Sequence, residues 1–394
     1  METRCLYMQI IVKLTTNCNL NCIYCSEGDK KAVTLKKEML FKAIDELPLL
    51  LDKINDKNIT LLWHGGEPLS VGKEYLTEVM QYATEKLKNY HIKFLIQTNG
   101  TLIDDEWISI FCKFKVGIGI SLDGYKELHD NNRLTKNGEA TFDLIVKNMQ
   151  KLKNAGVNYG TLMVLNTSSQ INMEALTKCI EEYDLHPKIH SVIACGRASE
   201  VDSVAVYENY VELMKELYRY CMESDRNIII EPLNELMDTI LGVDSVHECS
   251  FNGSCGVSFI CIYADGSAGF CGRAEHEKDD FTYGSLEDKN LLELYESVNA
   301  QRIRSRQQYL KEHDCYGCNY WHLCHGGCAF EAVTATGSLY SKYVNCGMRK
   351  SLLDFLQTEG LQLLKEKLIR QKGRYRTLIS EKNKLIGSMS DEKK

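Results

Sequence analysis

Cys18-Asn19-Leu20-Asn21-Cys22-Ile23-Tyr24-Cys25 follows directly on the apolar run Tyr7–Leu14, which reads as a β-strand. Three thiols spaced C-x3-C-x2-C on one tight loop can ligate three irons of a 4Fe–4S cube. Such a cube ordinarily takes four cysteines, so one iron is left open to another ligand. A structural zinc ion competes for the same loop, but it closes its tetrahedron with a fourth Cys or His, and none follows nearby.

Outward from this loop, short apolar runs alternate with amphipathic stretches. Strands are expected at Tyr7–Leu14, Ile59–His64, Lys93–Thr98, Val116–Leu122, Gly160–Leu165 and Ile189–Ala194. Helices are expected at about Lys36–Lys53, Lys73–Asn89, Asp104–Lys113, Ala140–Asn154 and Asn172–Tyr183. Strand alternating with helix implies a parallel sheet. Several strands close on polar, glycine-rich turns: His64-Gly65-Gly66-Glu67-Pro68, Thr98-Asn99-Gly100 and Ser121-Leu122-Asp123-Gly124. In parallel α/β barrels the chemistry sits in these C-terminal loops.

The 394 residues are 44% hydrophobic and 26% charged, with a net charge of −7. That length allows about two to three domains with a substantial core. A mildly acidic chain lacks the basic surface that general nucleic-acid binding needs. No apolar run approaches the roughly 20 residues that cross a bilayer, which argues against a membrane protein. Met1–Leu14 lacks the basic start and small-residue cleavage site of a signal peptide. A cytoplasmic location is therefore expected, where disulfides are rare. The 17 cysteines then point to metal or redox chemistry.

Taken together, the cysteine loop, Tyr24 before its third thiol and Gly65-Gly66-Glu67-Pro68 after the second strand resemble the radical S-adenosylmethionine superfamily. The resemblance implies an α/β fold, a partial (β/α)6 TIM-like barrel over residues 1–206. It further implies that the open iron chelates the amino and carboxylate groups of S-adenosylmethionine. Electron transfer then cleaves the sulfonium to a 5′-deoxyadenosyl radical, which takes hydrogen from the substrate. On the same footing, the backbone of Gly65, Gly66, Glu67 and Pro68 and the Glu67 side chain contact the methionine amino group. Ser121 and Arg133 address the methionyl carboxylate and ribose, Asn99 lines the same pocket, and Tyr24 packs near the adenine. Ordinary turns and solvated polar residues are the plainer readings of these positions.

Residues 207–248 read as a helical linker. Residues 249–348 are rich in Cys, Gly and Tyr and poor in long apolar runs, so metal ligation is the expected staple. Residues 349–394 form a charged helical tail whose end, Ser388 to Lys394, is expected to fray. Cys255 is followed at fixed spacing by Gly266 and Cys271, then by Cys315-x2-Cys318-x5-Cys324-x3-Cys328 and Cys346, with Cys249 upstream. This series resembles the SPASM extension of radical S-adenosylmethionine enzymes. Eight thiols complete two four-thiolate clusters, which makes three 4Fe–4S clusters in all. The resemblance assigns Cys249, Cys255, Cys271 and Cys328 to one auxiliary cluster and Cys315, Cys318, Cys324 and Cys346 to the other. Spacing alone does not establish that partition, and a pair of zinc ribbons would use the same residues. Of the remaining cysteines, Cys112, Cys179 and Cys221 read as buried small hydrophobes, and Cys261 as packing beneath the ligands. Cys195 closes the sixth strand, where packing and substrate contact are both open, and Cys5 is unassigned.

Enzymes with a complete extension of this kind mostly act on peptides or proteins, reduced by a flavodoxin or ferredoxin. The first reading is a maturase that forms a thioether or carbon–carbon crosslink in a ribosomally made peptide. With 17 residues before Cys18, leader recognition falls to a separate leader-binding protein, the barrel mouth or the tail. The second is an anaerobic sulfatase-maturating enzyme, which oxidises Cys or Ser to formylglycine. Its catalytic aspartate follows the ligand corresponding to Cys271, where this chain has Gly272. Asp265, Glu275 and His276 flank that place, but solvated loops explain them equally well. An electron carrier without catalysis is the third reading, and it has no use for an open iron.

Overall fold

The computed structural model describes residues 8–28, 31–166, 170–243, 248–274 and 281–372. Six parallel strands form its frame: β1 (Met8–Thr15), β2 (Asn58–Gly65), β3 (His91–Thr98), β4 (Gly117–Ser121), β5 (Tyr159–Leu165) and β6 (Pro187–Ser191). Between them run α1 (Lys37–Ile54), α2 (Lys73–Lys86), α3 (Asp105–Phe114), α4 (Lys126–Asn132), α5 (Phe142–Asn154) and α6 (Met173–Glu182). The strands lie side by side in sequence order, as right-handed βαβ crossovers dictate.

Each strand divides its residues between two faces, because successive side chains alternate. On β1, Met8, Ile10, Val12 and Leu14 are buried, as are Ile59, Leu61 and Trp63 on β2 and Ile189 on β6. They meet helix stripes such as Phe142, Ile145, Met149 and Leu152 on α5, whose spacing of three and four keeps one face apolar. The opposite face carries Ile11, His64, Lys188 and His190, each keeping some exposure. On β1 that face meets the turn after Cys271, where a Cβ on Gly272 would lie 3.6 Å from Lys13 Cε.

The boundaries differ from expectation in three places. Strand β6 stops at Ser191 rather than Ala194, since the chain turns there and Cys195 N bonds to Ile193 O at 2.8 Å. Helix α2 stops at Lys86 rather than Asn89, and the turn Leu87–Tyr90 feeds β3. The short helix α4, seven residues long, was not expected.

Two helices, α7 (Ser203–Glu223) and α8 (Leu233–Ile240), follow the frame. The Cys-rich segment then returns to the same sheet. Strand β7 (Phe259–Ile262) pairs parallel with β1, and β8 (Ser267–Gly269) and β9 (Thr282–Ser285) extend it antiparallel, giving nine strands. This segment buries more than its composition promised: Ile260, Ile262, Phe270, Tyr283, Leu294, Phe330 and Tyr343 join the core shared with the frame. Buried arginines act as further staples. Arg306 donates to the carbonyls of Leu339, Gly327, Gly326 and Ser341 at 2.8–3.1 Å. Arg349 lies 4.1 Å over Phe251 and 4.0 Å over Tyr343. The tail is helical from Cys346 to residue 372, with a π-helical turn at Leu356–Gly360. Cys5 and Ser388–Lys394 lie outside the described residues, as do Glu275 and His276.

Candidate functional site

The loop carrying Cys18, Cys22 and Cys25 leaves the end of β1 and is held from three sides. Asn21 N bonds to Leu134 O at 2.7 Å and Ile23 N to Asn132 O at 3.0 Å, which tie it to the segment after α4. Arg197 donates from its backbone N to Cys25 O and from Nη1 to Cys22 O, both at 3.0 Å. From the β2 side, Gly66 N reaches Thr15 O at 2.7 Å and Glu67 N reaches Asn17 O at 2.8 Å.

This last approach explains the glycine pair. Gly65 has φ +130°, and a Cβ on Gly66 would lie 2.3 Å from Asn17 O. A backbone oxygen cannot yield as a flexible side chain does, so Gly66→Ala is expected to cost about 3 kcal/mol. Chemical denaturation of the cluster-free chain measures it, and a loss below about 0.5 kcal/mol would mean that the loop relaxes freely.

Glu67 is fully buried and accepts from Leu69 N at 3.0 Å, Thr98 Oγ1 at 2.8 Å and Asn99 N at 2.8 Å. Burial nonetheless pushes its carboxyl up to about 7. Its side chain braces the ends of β2 and β3, leaving the turn's backbone beside the cysteine loop. Asn99 donates to Asn19 Oδ1 at 2.9 Å and lies 3.8 Å from Cys18 Sγ. Ser121 accepts from Gln97 at 3.1 Å.

Asp123, read from sequence only as part of a turn, proves to be the centre of the next group. It is fully buried, pairs with Arg133 Nε at 2.9 Å, accepts from Val164 N at 3.0 Å and receives the Tyr24 hydroxyl. Arg133 lies 5.3 Å over the Tyr24 ring, with Nη1 4.0 Å from Cys22 Sγ. An acidic residue before a strand-end glycine was the available signal. Asn99 and Arg133 thus approach the thiols of the cysteine loop and Tyr24 lies within it, whereas the contact of Ser121 is with Gln97.

The downstream thiols fall into two groups of four. Cys249 interacts electrostatically with Cys255, Cys328 and Cys271, and Cys328 with Cys255 and Cys271. Cys315 interacts with Cys324, Cys318 and Cys346, and these four line one cavity. Arg306 lies within electrostatic reach of Cys255 and Cys328 on one side and Cys315 and Cys324 on the other. Among the described residues, no three His, Cys, Asp or Glu side chains converge tightly enough for a single metal ion. Four thiols around a common space suit a polynuclear cluster, so the donor sets fit the group that the spacing suggested. Burial pushes the Cys18 thiol up to about 12 and those of Cys255 and Cys315 up to about 11, so ligation displaces protons.

The structure also separates the spare cysteines. Cys179 and Cys221 are buried, as expected, and Cys261 is buried on β7. Cys112 is exposed, a correction: it sits on the outer face of α3, where Trp107, Ile108 and Phe111 already supply the apolar stripe.

Sequence reading missed several charged residues of the sheet's second face and its surroundings: Lys13 paired with Glu27, Lys188 paired with Glu248 at 2.5 Å, His64 and His190. A Cβ on Gly272 would meet Lys13 Cε at 3.6 Å and Ile11 Cγ2 at 3.9 Å, so position 272 faces β1 and has room for a side chain.

Residues 12–179, which run from within β1 into α6 and include Cys18, Cys22 and Cys25, match the model of the Radical SAM superfamily. The chain carries a radical SAM domain. Across more of its length, it is 29% identical over 335 residues to the cysteine-type anaerobic sulfatase-maturating enzyme of Clostridium novyi (strain NT), covering 81% of this chain and 87% of that one. Among solved structures, native anSMEcpe with bound AdoMet and Kp18Cys peptide superposes with a TM-score of 0.77 at 22% identity, covering 91% of this chain and 99% of that one. Streptococcus suis SuiB bound to precursor peptide SuiA follows with a TM-score of 0.64 at 17% identity, covering 86% and 76%. The radical SAM domain and its Cys-rich extension thus share one fold with both. No described helix is long and apolar enough to cross a membrane.

Proposed function

We propose that this radical SAM enzyme catalyses a two-electron oxidation of one residue in a peptide or protein, of the kind performed by sulfatase-maturating enzymes. The reading rests on three 4Fe–4S clusters: one on Cys18, Cys22 and Cys25, and two on the groups of four. When bound with S-adenosylmethionine, the first supplies the 5′-deoxyadenosyl radical. The observation that carries the proposal is the likeness over 81% of the chain to a cysteine-type maturating enzyme, combined with eight thiols gathered four and four. It reverses the order in which the sequence alone ranked crosslinking and formylglycine formation.

Converting Cys to formylglycine turns CH2–SH into CHO. Water supplies the oxygen, sulfur leaves as hydrogen sulfide, and two protons and two electrons leave with it. One hydrogen atom goes to the radical, and the remaining electron needs an acceptor, a role suited to fully ligated auxiliary clusters. This chain's part is to hold the peptide beside Lys13–Glu27 and the Cys271 turn. A flavodoxin or ferredoxin is the proposed reductant. Gly272 supports a second reading, crosslinking within a ribosomally made peptide, because the relatives' carboxylate is absent there; a separate leader-binding protein belongs to that reading.

Mass spectrometry of peptides incubated anaerobically with holoenzyme, S-adenosylmethionine and reductant separates the two. On peptides that contain Cys but no Ser, loss of sulfur supports formylglycine formation, and loss of two hydrogens with sulfur retained supports crosslinking. Gly272→Asp adds a further arm. Its side chain fits beside Lys13, so stability should change by less than about 1 kcal/mol. If formylglycine formation lacks its proton acceptor here, the variant should be at least about tenfold faster, since a placed general base is worth ~100-fold or more. An unchanged rate would show that the reaction needs no carboxylate at 272.

A further inference from the structure

Two buried arginines stand among the downstream thiols, and they differ in what their donors reach. Arg306 directs its Nε, Nη1 and Nη2 to the carbonyls of Leu339, Gly327, Gly326 and Ser341. Arg349 is placed differently. It stands three residues after Cys346 on the same helix, so the two side chains share a face. Only 2% of it is exposed, and it borders the cavity that Cys315, Cys318, Cys324 and Cys346 line.

Its Nη1 donates to the carbonyl of Ser250, the residue after Cys249 of the first group of four. The Phe251 and Tyr343 rings lie against the guanidinium. These contacts fix the plane of the fork, yet Nε has no hydrogen-bond partner among the described residues. The charges that act on it most are those of Tyr207, Tyr343 and Cys324, with no carboxylate among them. Glu331 instead accepts from the Tyr343 hydroxyl at 3.0 Å. A buried cation with an unused N–H donor is costly unless an anion meets it. A 4Fe–4S group on four thiolates is such an anion, and hydrogen bonds to its sulfurs tune its potential.

We propose that Arg349 is a positioning residue for electron transfer: its Nε–H and its charge are held for the iron–sulfur group of the second four thiols and raise the reduction potential there. The direction follows from charge. Uptake of an electron makes that group more negative, and a fixed cation with an N–H donor stabilises the more negative state. The electron is the one left on the substrate residue once hydrogen has gone to the radical. The inference therefore deepens the proposed function and rests on it for the occupant of this cavity.

Arginine labelled with nitrogen-15 in its guanidinium is incorporated into the wild-type chain, and the reconstituted holoenzyme is reduced anaerobically. Pulsed electron paramagnetic resonance then reads nitrogen coupling to the signal that a Cys318→Ala chain lacks. A nitrogen-15 coupling is expected there. It should disappear in Arg349→Lys, which keeps the charge but puts a methylene where Nε stood. Arg306 lies within electrostatic reach of Cys315 and Cys324, so a coupling that survives in Arg349→Lys belongs to Arg306 and overturns the proposal. Absence of any coupling in the wild type does the same.

A redox titration gives the second readout. Arg349→Gln should shift the reduction equilibrium of that signal about tenfold toward the oxidised state, or about 59 mV for one electron. Arg349→Lys should recover part of the shift. An unchanged potential in an Arg349→Gln chain with its full iron would overturn the proposal, and if that chain loses the cluster, the labelled wild type decides alone. Failure of the parent reading looks different. A wild-type chain with about eight irons rather than about twelve, its second four thiols empty, would overturn the occupant and the proposal together. A chain that meets both expectations and oxidises no peptide would keep Arg349 in this role and lose the peptide reading.

Discussion

A Cys22→Ala chain is expected to form no 5′-deoxyadenosine and to hold about four fewer irons than the wild type. Cys22 stands at the middle of the loop, between Arg133 Nη1 at 4.0 Å and the Arg197 contact to its own carbonyl at 3.0 Å. The substitution removes one of three thiols together with its Arg133 contact but leaves the Arg197 bond to the backbone carbonyl in place, so the loop keeps its shape while the cluster loses a ligand. With two ligands left, a cube that already has one open iron has no stable seat. The two downstream groups of four share no residue with this loop, so roughly two thirds of the iron should remain. Iron analysis and chromatography of the nucleoside product read both effects. A Cys22→Ala chain that still cleaved S-adenosylmethionine at the wild-type rate would remove this loop from the reaction.

The second large effect is expected at Asp123. This carboxylate is fully buried and satisfies Arg133 Nε, Val164 N and the Tyr24 hydroxyl together. Asp123→Ala strands the buried Arg133 guanidinium, and breaking such a pair from one side costs about 3–5 kcal/mol. Total stabilities are only about 5–15 kcal/mol, so the variant should be near the edge of folding. Removing both partners, in Asp123→Ala with Arg133→Met, should recover much of the loss, because no uncompensated charge remains. Urea denaturation of the three cluster-free chains gives the values. A single variant losing less than about 1 kcal/mol would show that Arg133 finds water or another acceptor.

What could be read from the sequence was local. The C-x3-C-x2-C loop, the glycine turn after β2 and the alternation of apolar runs each declare themselves within a few residues, and five of the six strands lie within about two residues of their expected ends. The partition of the eight downstream thiols was not legible, since it depends on how residues 249–274 fold back toward residues 315–346. Nor was the return of β7 to pair with β1, because Phe259–Ile262 is four residues long and carries no crossover signal. Lone charged residues were hardest. Asp123 and Arg306 look alike in sequence to solvated loop residues, and only their enclosure and partners tell them apart. In each case the deciding contact joins residues distant in the chain.

In the proposed reaction, hydrogen leaves a peptide residue for a radical formed at the Cys18–Cys25 loop. Turnover of a peptide whose target residue carries deuterium at Cβ tests that step most directly. 5′-Deoxyadenosine bearing deuterium is expected, in step with oxidation of the peptide. Unlabelled 5′-deoxyadenosine, formed at the same rate with and without the peptide, would contradict it.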